Sequence, residues 1–326
     1  MYPHKSMSRS HVTSLVLFFQ PLPCRWVAFA AILAQLRKPV ARSLSLKRLR
    51  ISAISYLNTA PLMWDFEHGV AGGDFDITYT VPSQCAAELA RGSADIGIIP
   101  AAAYASIPDL RILPGVAIAS KRAVRSILLV SRKPLDHIHT VALDNSSLTS
   151  VALVRVLFEK YWGGAREFTS AQPDLDAMLA AHDAALLIGD PALTVDRAKY
   201  QTWDLAEEWS RFTGKPFVFA FWAIREAAAR ETNLDLPAIF QESRDHGLEP
   251  ANLEQIAQTW APRLGLAHAD VMAYLTTNIH YYLDDACLQG LDLFYRYATE
   301  CGILPPVVLR NGHEPELLAP SRRGRG

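Results

Sequence analysis

A run of small polar side chains, Asn145, Ser146, Ser147, Thr149 and Ser150, follows the apolar stretch 140–143 and opens a helical pattern that continues through residue 158. Hydroxyls in that position stand beside backbone N–H groups that have no acceptor within the helix, at the positive end of the helix dipole. Such a place suits an anion. Ser83, at the head of the helical stretch 84–91, repeats the arrangement. Each alone reads as an N-cap. Two of them facing one another across a cleft would hold a small anionic molecule, which leaves both binding and catalysis open.

The motifs of most other chemistries are absent from the sequence. No GxGxxG follows a strand-like run, and there is no Walker loop, GxSxG elbow or HExxH. His137 and His139 flank Ile138 without a third ligand nearby, so no metal site is expected and no cofactor is called for. Gly72-Gly73 and Gly163-Gly164 read as turns. His280, beside Tyr281 and Tyr282, reads as a packed histidine, and Asp284-Asp285 as a solvated pair on a helix. Cys24, Cys85, Cys287 and Cys301 have no CxxC spacing and read as reduced, buried thiols.

The elements that must position these groups follow from length and patterning. The chain has 326 residues, 50% of them hydrophobic and 20% charged, the balance of a globular protein with a large core. That length suits two domains, or one divided by a chain that crosses twice between lobes. The net charge is −1, but residues 1–48 carry eight Lys or Arg and no acid, which leaves −9 on the remainder. An acidic body lacks the basic face that nucleic acid demands, so no nucleic-acid partner is expected.

Strands are expected over 50–57, 77–81, 94–99, 111–119, 126–131, 140–143, 184–188 and 217–224. Helices are expected over 61–68, 83–91, 101–107, 148–162, 175–181 and 205–213, and the chain from 237 to 302 reads as wholly helical. Its apolar faces are Leu253, Ile256, Ala257 and Trp260, then Leu291, Phe294, Tyr295 and Ala298. This is an α/β chain with parallel sheets.

The long extended stretch 113–131 suits a crossover between lobes, and a return is expected after residue 225. The expected division is an extension over 1–48, a discontinuous first lobe of 49–122 plus 227–312, a second lobe of 123–226, and a disordered tail over 313–326. The leading segment contains no run of ~20 apolar residues, fits a signal peptide badly and reads as a dispensable or misassigned start. No membrane partner is expected. Ligands of open α/β sheets sit beyond the carboxyl ends of strands, so a site is expected where 57–58, 81–83, 144–147 and 189–190 converge.

Six blocks, in order, carry a resemblance: Ile54-Ser55-Tyr56-Leu57-Asn58-Thr59-Ala60-Pro61-Leu62; Val81-Pro82-Ser83 with Ala90-Arg91-Gly92-Ser93-Ala94-Asp95-Ile96-Gly97; Ile118-Ala119-Ser120; Val124-Arg125-Ser126-Ile127-Leu128-Leu129-Val130-Ser131; Ala142-Leu143-Asp144-Asn145-Ser146-Ser147-Leu148-Thr149-Ser150; and Leu187-Ile188-Gly189-Asp190-Pro191-Ala192-Leu193. The chain from about 49 to 225 resembles the chorismate dehydratase family of the futalosine route to menaquinone. The resemblance implies a two-lobed, type II periplasmic-binding-protein-like α/β fold with its ligand cleft between the lobes, in a cytoplasmic enzyme using neither metal nor organic cofactor. Thr59-Ala60 depart from the family's usual residues beside Asn58. A sister enzyme, 1,4-dihydroxy-6-naphthoate synthase, shares the fold but carries a different opening motif and a catalytic histidine, neither of which is evident here.

By match to the family pattern, Asn58 and Ser126 are the expected catalytic residues. Ser55, Ser83, Ser120, Ser146, Ser147, Thr149, Ser150, Gly189 and Asp190 are the expected substrate contacts. The implied reaction removes water from chorismate to give 3-[(1-carboxyvinyl)oxy]benzoate, driven by aromatisation. No side chain stands out as a base, and the substrate's enolpyruvyl carboxylate could serve. The reading of another class is a solute-binding protein for an organic anion. Oligomeric state is not legible in the sequence.

Overall fold

The computed structural model describes residues 48–69, 71–307 and 309, so the expectations for the tail and for the leading segment, Arg48 apart, lie outside the described residues. Ten strands are described: β1 (Leu49–Ile54), β2 (Phe75–Thr80), β3 (Ile96–Pro100), β4 (Leu110–Ser120), β5 (Ile127–Ser131), β6 (Thr140–Asp144), β7 (Glu167–Ala171), β8 (Ala184–Ile188), β9 (Gln201–Asp204) and β10 (Phe217–Arg225). They form two five-stranded sheets, in the orders β2-β1-β3-β10-β4 and β7-β6-β8-β5-β9. The same pattern thus occurs twice. In each sheet one strand, second from an edge, belongs to the later part of the chain's path through that sheet or opens it.

Neither sheet is purely parallel, which corrects the expectation. β10 runs antiparallel to β3 and β4, and β5 antiparallel to β8 and β9. The reason lies in the path. Both strands follow a crossing and enter where a neighbour finishes, with Phe217 opposite Ser120 and Ile127 opposite Ile188, so they must run backwards. β10 stands in the first sheet, so the return between sheets precedes it, at residues 214–216, rather than following residue 225. β7 and β9 escape the sequence patterning because they are edge strands, short and largely solvent-facing, with little apolar alternation.

The buried strands supply the core. β3, β5 and β8 are buried throughout, as is β10 as far as Ile224. Helix Leu236–Gly247 lies on the 3-10 turn Leu57–Met63 that follows β1. There the buried Ser243 hydroxyl donates to the Leu62 carbonyl at 3.0 Å and accepts from the Asp65 N–H at 3.1 Å. The contact is close: a Cβ on Gly247 would stand 1.9 Å from the Pro61 carbonyl oxygen.

The last helix, Asp285–Glu300, puts Phe294 against Phe217 of β10, with ring centroids 5.1 Å apart. The same ring meets Trp209 of helix Leu205–Thr213, so this helix touches both lobes. Cys85 and Cys287 are buried free thiols that burial pushes up to about 12, in keeping with their reading as inert hydrophobes; Cys24 lies outside the described residues. Among the described residues no helix is long and apolar enough to cross a membrane.

Candidate active-site cleft

Between the sheets lies a cleft of about 500 Å³ that opens to solvent. Asn58, Ser126, Ser147, Thr149, Ser150 and Gly189 line it together, six of the residues expected from the sequence. Ile98, Ile118, Ile188 and Phe219 make much of the remaining wall apolar. An apolar wall lowers the local dielectric, which would strengthen a polar contact to an anion bound there.

Asn58 is held at the carboxyl end of β1 by the 3-10 turn Leu57–Met63, whose Pro61 fits the φ of a helical turn. The Thr59 hydroxyl donates to Asn58 Oδ1 at 3.2 Å. With its carbonyl oxygen engaged, the Asn58 amide presents its NH2 as donor.

Ser126 has no exposed surface as a residue, yet it stands at the cleft wall. Its backbone carbonyl accepts from the Gly189 N–H at 2.8 Å, and its Oγ accepts from the Tyr274 hydroxyl at 2.9 Å. Arg125, the residue before it, adopts φ +64°, a left-handed conformation unusual for a non-glycine residue. The Asp204 carboxylate stabilises that turn by accepting from the N–H groups of Val124 at 3.0 Å and Arg125 at 2.6 Å. Local strain and a buried carboxylate thus aim Ser126 inward. Tyr274 also approaches Asn58, and burial pushes its phenol far above the ordinary tyrosine range.

The polar opening of helix Leu148–Leu157 lines the same cleft. Ser147 is its N-cap, accepting from the Ser150 N–H at 3.2 Å. Asp144 orders the preceding turn, accepting from the Ser146 N–H at 2.9 Å and the Ser146 hydroxyl at 2.6 Å. Ser146 therefore serves the turn, and the Tyr56 hydroxyl of the first lobe approaches it.

Several bonds draw the lobes together around the cleft. Thr149 Oγ1 donates to the Phe219 carbonyl at 3.0 Å and accepts from the Ala102 N–H at 3.1 Å. The Ser83 N–H donates to the Ser146 carbonyl at 3.2 Å, and the Leu57 N–H to Asp190 Oδ1 at 3.2 Å. Burial pushes the Asp190 carboxyl up to about 6, while the Leu57 bond favours its ionised form. The Tyr56 ring lies flat against Gly189, where a Cβ would stand 2.9 Å from it.

Five expected contacts are not in the lining: Ser146 serves its turn, Asp190 is held by the Leu57 N–H, and three more are placed elsewhere. Ser55 is exposed and lines a neighbouring cavity. Ser83 faces an outer groove beside Leu148, because Pro82 takes the first helical position and Val81 the cap; only its backbone reaches across. Ser120 closes a turn in the crossing, donating to the Arg122 carbonyl at 2.9 Å and accepting from its N–H at 3.3 Å. Conversely, Tyr56 lines the cleft and Tyr274 supports Ser126 from behind it, two residues that carry no functional signal in the sequence. Tyr56 falls within the first of the six family-like blocks, but nothing local marks Tyr274, which lies in a helical region remote in sequence.

His280, Asp284 and Cys287 bring three potential ligand atoms within 4.8 Å of one another beside the first crossing, outside the cleft lining. The Asp284 carboxylate there already accepts from Lys121 Nζ at 3.1 Å and is paired with His280 Nε2 at 2.9 Å. With an ammonium in place and the thiol pushed up to about 12, the cluster is not preset for a cation. His280 is a packed residue of this network, with burial holding it below the ordinary histidine value.

The family profile described as menaquinone biosynthesis matches residues 49–300. The chain belongs to that family. The chorismate dehydratase of Thermus thermophilus is 29% identical to it over 257 residues, covering 73% of this chain and 91% of that protein. Among solved structures, a structural-genomics protein of Archaeoglobus fulgidus superposes with a TM-score of 0.64 at 17% identity, covering 79% of this chain and 98% of the other. The alkanesulfonate-binding protein of Xanthomonas axonopodis, bound to MOPS, gives 0.58 at 18% identity, covering 80% and 96%. The Escherichia coli periplasmic aliphatic sulphonate binding protein gives 0.56 at 19%, covering 79% and 94%. At these identities the structural likeness establishes the fold, which is periplasmic-binding-protein-like, and the family places the protein in menaquinone biosynthesis.

Proposed function

We propose that this protein is a cytoplasmic lyase that dehydrates chorismate to 3-[(1-carboxyvinyl)oxy]benzoate in the futalosine route. The observation that carries the reading is the meeting, in the lining of one cleft, of Asn58, the Tyr274-bonded Ser126 and the polar opening of helix Leu148–Leu157. Chorismate is a dianion with a ring hydroxyl to lose. The helix opening, with Ser147 and Ser150 at the cleft, suits a carboxylate.

The reaction breaks the C–H bond at the ether-bearing ring carbon, and its electron pair delocalises through the ring alkene towards the carboxylate. Expulsion of the neighbouring hydroxyl, with a proton, releases water and leaves an aromatic ring. Ser126 Oγ accepts a hydrogen bond from the Tyr274 hydroxyl, which leaves its own O–H free to donate a hydrogen bond to the departing hydroxyl or the growing dienolate charge. The Asn58 NH2 is the second donor. The enolpyruvyl carboxylate of the substrate takes the ring proton, since Asp190 is committed to the Leu57 N–H across the lobes. Among the described residues no histidine lines the cleft, which favours the dehydratase over its histidine-dependent sister.

Incubation with chorismate, followed by ultraviolet absorbance and mass spectrometry, tests the reading. An aromatic product lighter by one water is expected. Chorismate bound with high affinity and recovered unchanged would point instead to a solute-binding protein.

A further inference from the structure

We propose that the first lobe carries a second small-molecule site, beside the cleft, that takes an aromatic carboxylate; that its natural occupant is the departing product rests on the dehydratase reading. A cavity of about 910 Å³ lies between helix Trp64–His68, the end of β2 and helix Pro250–Leu264. It shares Ile54, Tyr56 and Thr59 with the cleft, so the two spaces meet at the Tyr56 side chain.

The walls of this cavity have the chemistry of a flat anion. Trp64 and Trp260 line it, and the His68 ring stacks on Trp64 with centroids 4.1 Å apart, which fixes that indole. Arg263 stands over the Trp260 ring at 5.4 Å and has no carboxylate partner among the described residues. Glu67 is the acid of the described wall, and it accepts from the Tyr79 hydroxyl. An engaged acid and an unpaired guanidinium leave the cavity ready for a carboxylate, which Arg binds in a planar, two-bonded fashion. Indoles favour a planar ring over a puckered diene, because stacking needs parallel π faces. The aromatised acid therefore fits this cavity better than its precursor does.

The test uses 3-(carboxymethoxy)benzoate as the probe, titrated into the full-length protein by calorimetry with tryptophan fluorescence in parallel. Arg263→Gln and Trp260→Leu are compared with the parent after thermal denaturation has shown that each is folded; Arg263 is exposed, so its variant keeps the core intact. Both variants are expected to weaken one class of binding site by ~10-fold or more, with loss of the accompanying fluorescence change. Probe binding identical in the parent and both folded variants would overturn the proposal. A protein that loses probe binding on Arg263→Gln but never converts chorismate would retain this site and refute the dehydratase reading.

Discussion

Tyr274 donates its hydroxyl proton to Ser126 Oγ at 2.9 Å, across 148 positions of sequence, and both groups are buried. A serine that accepts one hydrogen bond from a fixed donor has its own proton left for a third group. Tyr274 is thus a positioning residue. Tyr274→Phe should keep the ring's packing and lower kcat on chorismate by ~10-fold, about 1.4 kcal/mol, with KM changed far less. Steady-state kinetics decide it: a pure loss of melting temperature with unaltered kcat would assign Tyr274 to structure alone.

Asn58 offers its NH2 to the cleft because Thr59 occupies its carbonyl oxygen. Removing one preorganised donor to developing charge costs on the order of 10²-fold or more in rate. Asn58→Ala should fold, bind chorismate and turn it over at least ~100-fold more slowly. Near-parental turnover by well-folded Asn58→Ala protein would shift the donor role to Ser126.

Gly189 has φ +64° and ψ −146°, a region that side chains avoid, and the Tyr56 ring fills the place of its missing Cβ. Gly189→Ala should therefore cost a few kcal/mol through backbone strain and contact combined, and should prop the lobes apart. Small-angle scattering and chorismate affinity measure both effects. An unchanged radius of gyration together with unchanged affinity would show that the lobes close without this contact.

Asp190 gives the protein a pH dependence of known sign. Its carboxyl is raised from the ordinary 3.8 to about 6, chiefly by burial, so the folded state holds the proton more tightly than the unfolded chain. Its contribution to stability is most favourable below the unfolded value and is lost as pH climbs towards and through about 6. Asp190→Asn keeps an acceptor for the Leu57 N–H without the charge. It should gain about 1–2 kcal/mol relative to the parent at pH 7.5, the side chain's partial exposure tempering the effect. At pH 4.5 the gain should shrink. Chemical denaturation at the two pH values is the check, and a gain that is larger in acid would contradict the assignment.

Most elements were legible in the amino-acid pattern, because periodicity is local: β8, helix Leu175–Ala181 and helix Leu205–Thr213 fall where the apolar spacing puts them, while the edge strands β7 and β9 lack that spacing. The sequence by itself also determined that Asn58, Ser126 and Ser147 stand at strand or helix ends, where polar groups meet a cleft. The six blocks between residues 54 and 193 carry the family resemblance. Which hydroxyls are left without a protein partner at the cleft is set by the packing of the two lobes. Thr149 is adjacent to Ser150 in sequence, yet its oxygen is taken by Phe219 and Ala102 of the other lobe. Ser83 sits at a helix start like Ser147, yet Pro82 occupies the first position and turns that side chain outward. Tyr274 reaches Ser126 only because the terminal helices pack back against the crossing. Contacts between residues so far apart are set by packing of the whole core, and no local spacing encodes them.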